Sequence, residues 1–154
     1  MSIEFVMRSI SLDIYRRVKA GELVYGQIAE SDAVGKDWGI LAHILKNGEA
    51  QGAPPLAALA IIGGQRLEEE EDADYGGTRV LGPEEVERIS RELDFLTVGE
   101  IERRYATLDF SGVYGAEGSL PASPLDDFLA AFEELRDFYR AAAECGGAMM
   151  VWLG

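Results

Sequence analysis

Four residues that pair a broad contact surface with a polar tip are hard to assign to packing alone: Trp38, Tyr75, Arg79 and Tyr114. Tyr75 and Tyr114 sit in the glycine-rich stretches DADYGGTRV and FSGVYGAEG, the kind of loop in which binding residues concentrate. If the four converge, they line a groove in which the Arg79 guanidinium holds an anionic group and the rings hold a planar or apolar one. The structural alternative makes Trp38 and the tyrosines core or rim packing and pairs Arg79 with a nearby carboxylate. A second chemistry is purely electrostatic. Glu68, Glu69, Glu70, Glu71, Asp72 and Asp74 follow one another closely, repel one another and cannot be buried together. They are expected in water, as a contact for a basic partner.

Other chemistries lack their parts. A serine or cysteine hydrolase needs a base beside its nucleophile, and neither His43 nor Cys145, the only histidine and the only cysteine, stands in such a pair. His43 falls about 140° from Trp38 on a helical projection, away from the apolar stripe, and is expected at the solvated surface. Cys145 is read as a small packed residue. Asp37, Glu100, Glu102 and Asp109 are available for a paired-carboxylate mechanism, but carboxylates are too abundant here to single out a pair. Asp72, Asp74 and Gly77 imitate part of a calcium loop, yet Gly76 takes its fifth place and Pro83 its twelfth, where a carboxylate is required. The glycines at 112, 115 and 118 have the wrong spacing for a dinucleotide turn, and no Lys-Ser or Lys-Thr follows Gly63-Gly64 as a phosphate loop requires. No metal, no cofactor and no catalytic residue is expected, and the reading leans away from an enzyme.

The totals narrow the partners. Twenty-eight acidic against fourteen basic residues leave a formal charge of −14, which repels phosphate backbones and anionic lipid surfaces alike. Nucleic acid and membrane are therefore not expected partners, whereas a basic protein partner, a cation or a basic toxin would be drawn in; the plainer reading of the same charge is solubility alone. One cysteine allows no internal disulfide, and the N-terminal MSIEFVMRSI alternates polar and apolar residues without the long apolar core of a secretory signal. No run approaches the roughly 18 apolar residues of a membrane span. A cytoplasmic location follows as the expectation.

The elements that position these groups can be read in order. Residues 2–10 have a two-residue period and predict a half-buried strand. Ser11 is placed to cap a short helix to Lys19, with Leu12, Tyr15 or Arg16, and Val18 as an imperfect stripe. GKDWGILAHILKNG repeats Trp38, Leu41, Ile44 and Leu45 at helical spacing and stops at Gly48. Leu56 to Ile62 reads equally as a buried strand or a helical turn, and Val80-Leu81 as an edge strand. Pro83 opens a helix with Val86, Ile89, Leu93 and Leu96 inward. Thr97 and Glu100 form a capping-box pair for the next helix, which carries Ile101, Tyr105 and Leu108. Residues 109–122 form a loop anchored by Val113-Tyr114 and Leu120. Ser123 is read as the cap of the longest helix, with Pro124 at its first position and Leu125, Phe128, Leu129, Phe132, Leu135, Tyr139 and Ala142 buried. Ala148 to Leu153, apolar throughout, predicts a central strand beside the N-terminal one. The fold class is α+β: a single domain over 1–154, about five helices on a small sheet that includes both terminal strands.

One ordered series adds a resemblance. GKDWGILAHILKNG, IIGG at 61–64, YGGTRVLGPEEV at 75–86, Tyr114 in its glycine-rich loop and LDDFLAAFEELRDFYRAAAECGGAMMVWLG together resemble the bacterial YfbM-like family, the domain of unknown function 1877. Lys36, Trp38 and Leu41 match the family's Asp-Lys-x-Trp and Leu-His stretch, while Gly35 and Ala42 stand where its aspartate and histidine would be. The resemblance implies an α+β domain of bacterial cytosolic type and carries over no activity.

Overall fold

The computed structural model describes residues 5–22, 33–35, 38–48, 55–66 and 78–153. Its centre is a ladder between the two terminal strands, β1 (Phe5–Ile10) and β7 (Ala148–Leu153). They pair antiparallel from Phe5↔Leu153 to Ile10↔Ala148. Around them β2 (Ala33–Gly35), β3 (Gln65–Arg66) and β4 (Arg79–Leu81) complete a sheet of order β2-β1-β7-β4-β3. The apolar tail is thus the middle strand, as its composition predicts. Val80-Leu81 is not an edge, because the short β3 covers the outer side of β4.

Alternation along these strands sends side chains to two unequal layers. Phe5, Met7, Leu81, Met149 and Val151 join the large core under most of the helices. Ile10, Val80, Ala148 and Met150 face the other way, onto Val18, Ile14 and Tyr15. Those three belong to α1 (Leu12–Lys19), whose N-cap Ser11 accepts from the Ile14 amide at 3.2 Å. Two expectations change here. β1 is covered on both faces, with Arg8 also buried and its guanidinium over Trp152, and Leu12 is exposed while Ile14 turns inward.

The large core is closed by helices with legible ends. α2 (Trp38–Lys46) stops at Asn47 and Gly48, both with positive φ. Leu56–Ala58 forms a 3-10 turn that runs into α3 (Leu59–Ile62), so this ambiguous stretch is helical. α4 (Pro83–Phe95) starts at Pro83, and Glu85 reaches back to accept from the Gly82 amide at 3.2 Å. α5 (Val98–Thr107) is capped by Thr97, which accepts from the Glu100 amide at 3.1 Å. The capping box is only half made, since the Glu100 carboxylate turns to Arg103 and Arg104.

A two-stranded hairpin, β5 (Ala116–Glu117) and β6 (Leu120–Pro121), precedes α6 (Leu125–Glu144). Pro124 is the N-cap residue of α6 and Leu125 its first helical residue, one position later than the sequence suggests. Phe128, Ala131, Phe132, Leu135, Tyr139 and Ala142 form the buried face of α6, which packs along α4. The Tyr139 hydroxyl, fully buried, donates to the Ala60 carbonyl at 2.6 Å. Burial, and then the negative charge of Glu85, push its ionisation upward, so it stays a donor. Among the described residues no helix is long and apolar enough to cross a membrane.

Candidate functional site

α2 carries few polar side chains, and residues Gly39 to Leu45 are all buried. That burial brings α2 against the connection 109–122. Tyr114 stacks on Trp38, the ring centroids 5.1 Å apart and the planes at 20°. Gly39 permits this approach: a Cβ there would lie 2.4 Å from the Tyr114 carbonyl oxygen and 2.9 Å from the Tyr114 Cβ. Glycine inside a helix costs stability relative to alanine, about 0.5–1 kcal/mol. Its presence in an otherwise apolar helix is the signal that another backbone comes close.

One turn further along α2, His43 is only 5% exposed. Its Nε2 is 2.9 Å from the Asp109 carbonyl oxygen, which can only accept, so Nε2 carries the proton and donates. The expectation of a solvated histidine fails because α2 has no polar face to leave in water. The side opposite Trp38 is covered by Phe110, whose ring lies 5.2 Å from that of His43 and 6.4 Å from that of Tyr105. Phe110, fully buried, is the anchor of the connection. Leu120, which sequence assigned to that task, is 68% exposed, while Val113 is half-buried against the core. The Tyr105 hydroxyl donates to the Ser123 carbonyl at 3.1 Å and pins the far end.

The ionisable groups here have structural partners. Asp109 Oδ1 accepts from the Ser111 hydroxyl at 2.7 Å and the Ser111 amide at 3.0 Å. These two bonds hold the carboxyl below its ordinary range; partial burial opposes them, and the His43 imidazole adds a smaller pull in the same direction as the bonds. Glu100, bonded by Arg103 and Arg104, is lowered to about 2. Arg104 in turn donates to the Ile44 carbonyl near the end of α2 at 3.0 Å. Cys145, read as packed, is exposed at the end of α6. Among the described residues no three histidine, cysteine or carboxylate groups are arranged to hold a metal ion.

The sequence candidates take different places in the fold. Trp38 and Tyr114 meet. Arg79 lies on β4, its Cα opposite Val151 on one side and Arg66 on the other, and its Nη1 donates to the Ile62 carbonyl at 2.6 Å, at the end of α3. β1 and β7 intervene between β2, which precedes Trp38, and β4. Tyr75 and the carboxylates Glu68, Glu69, Glu70, Glu71, Asp72 and Asp74 lie outside the described residues, as do Lys36 and Asp37. Sequence reasoning missed Phe110 and Gly39, the pair that lets the connection dock.

Comparison with known proteins agrees with this architecture. The chain superimposes with a TM-score of 0.69 on the crystal structure of a protein of unknown function, YfbM from Escherichia coli, covering 100% of both chains at 15% identity. That likeness is one of fold. No curated protein matches. The model of the family described as Domain of unknown function (DUF1877) matches residues 11–152. A match over nearly the whole length, together with the shared fold, means that the chain belongs to the DUF1877 family.

Proposed function

We propose that this protein is a non-enzymatic protein-binding or regulatory module of the bacterial cytoplasm, whose partner is a basic protein. Neutralisation of a basic toxin is one role that such a charge suits. The reading rests on the acidic run Glu68 to Asp74 and on where its flanks attach. Gln65↔Val80 and Arg66↔Arg79 pair across β3 and β4, so the two ends of the connection that carries the run leave the sheet side by side. Six carboxylates on so short a tether concentrate negative potential in one region of a chain already at −14. Such a contact speeds association and selects partners by charge.

Salt and charge reversal test the reading together. A partner captured at low ionic strength should dissociate steeply as salt rises, because exposed charges are screened beyond roughly 10 Å at 0.1 M. Reversal of Glu68, Glu69, Glu70 and Glu71 to lysine should abolish capture while the thermal melt is retained. Capture indifferent to both changes removes the acidic run from the contact.

A second reading, that of a small-molecule binder or enzyme, is supported by the Trp38–Tyr114 stack. In this reading Trp38, Tyr75, Arg79 and Tyr114 line a groove for a planar anionic compound. A ligand at a hundred times its dissociation constant stabilises a protein by about 2.7 kcal/mol, which a thermal-shift screen of metabolites detects. Hits that Trp38→Leu or Arg79→Ala abolish support the groove. A broad library without such hits removes it.

A further inference from the structure

We infer that residues 111–122 form a strap that opens and closes as one unit over the Trp38 ring, between two fixed pins. This concerns the motion of the strap and stands whether or not the groove reading holds. The first pin is Asp109-Phe110, held by the His43 Nε2 donation and by the burial of the Phe110 ring. The second is Ser123, held by the Tyr105 hydroxyl.

Between the pins the chain supplies much of its own bonding. Ala116 N donates to Val113 O and Ala122 N to Gly115 O, each at 3.0 Å, and Ala116↔Pro121 and Glu117↔Leu120 pair as a hairpin, while Val113 N to Phe110 O at 3.0 Å and Phe110 N to Ser119 O at 3.1 Å join the strap to the first pin and must break when it lifts. A segment bonded internally keeps its shape when it lifts. Its outer surface is exposed at Ser111, Gly112, Gly115, Glu117, Gly118, Ser119, Leu120 and Ala122. Gly112, beside the first pin, has φ 78 and no atom within 4 Å of where a Cβ would stand, so the backbone can swing there once the Val113–Phe110 bond that spans it breaks.

Besides the bonds to Phe110, the contacts that hold the strap down include the Tyr114 ring on Trp38, the Tyr114 carbonyl against Gly39, and the half-buried Val113 and Ala116. Tyr114 is itself 37% exposed. This is a shallow attachment beside the fully buried Phe110, and local opening is drawn from such regions. Lifting the strap bares the stacking face of Trp38 and the side-chain-free backbone at Gly39, which closing covers again.

Hydrogen exchange on the full chain, followed by mass spectrometry, tests the strap. Peptides covering 111–122 should exchange together, well ahead of those covering α6 and β7. Tyr114→Ala should accelerate the strap on the order of tenfold, the loss of one aromatic stack, and leave α6 and β7 unchanged. Tyr114→Phe, which keeps the ring, should exchange closer to the wild type than Tyr114→Ala does. An unchanged strap in Tyr114→Ala, or equal acceleration of the strap, α6 and β7, overturns the inference.

Discussion

The β1–β7 ladder and the connection 109–122 are built in opposite ways. The ladder pairs six residues of each strand, and Met7, Met149, Met150 and Val151 are buried to 1% exposure or less. The connection is exposed along much of its length and is fully buried only at one ring, Phe110, with Val113 and Ala116 packed partly against the core. The first cannot loosen without exposing both layers. The second can lift while its base stays in place. Rigidity in this protein therefore belongs to the sheet and adaptability to the segment that touches Trp38.

Truncation probes the rigid half most severely. Removal of Met149 to Gly154 takes away the middle of the sheet and should leave no soluble folded protein; recovery of a cooperative melt would show that the ladder is not the foundation. Phe110→Ala sharpens the comparison from the other side, because the base of the connection belongs energetically to the core. It should destabilise by about 3–5 kcal/mol in urea unfolding, as buried Phe→Ala changes do. A cost below about 1 kcal/mol would place Phe110 with the mobile strap instead.

Tyr139→Phe should cost less, about 1–3 kcal/mol, by leaving the buried Ala60 carbonyl without its donor. A neutral result would mean that α3 readjusts. The smallest effect is expected at Glu100, which is half-buried on the helix surface. Its carboxyl is lowered from 4.5 to about 2 by Arg103 and Arg104, so its contribution is fully present above about pH 4.5 and lost as pH falls toward 2. Wild type and Glu100→Gln should therefore differ slightly in urea midpoint near pH 7 and converge near pH 2. A difference that grows in acid contradicts this sign.

The candidate site was partly legible. Trp38 and Tyr114 stood out as large amphipathic residues, and they meet. Their contact was not predictable from spacing, because it depends on a backbone approach that Gly39 permits from far along the chain. His43 was misplaced for a related reason. A helical projection assumes one face in water, and α2 has none once Phe110 and α5 lie against it.

By itself the sequence determined the elements whose causes are local. These are the alternating head, the apolar tail, Ser11 and Thr97 as caps, Pro83 as a helix start and the glycines that end α2 and α6. Each follows from backbone geometry, hydrogen-bond supply or water avoidance within a few residues. Tertiary structure alone decided that β4 is interior, that β1 is covered on both faces, that His43 is buried and that Arg79 turns to the Ile62 carbonyl. Those outcomes depend on which distant segment arrives to cover a surface, and no local preference records that arrival.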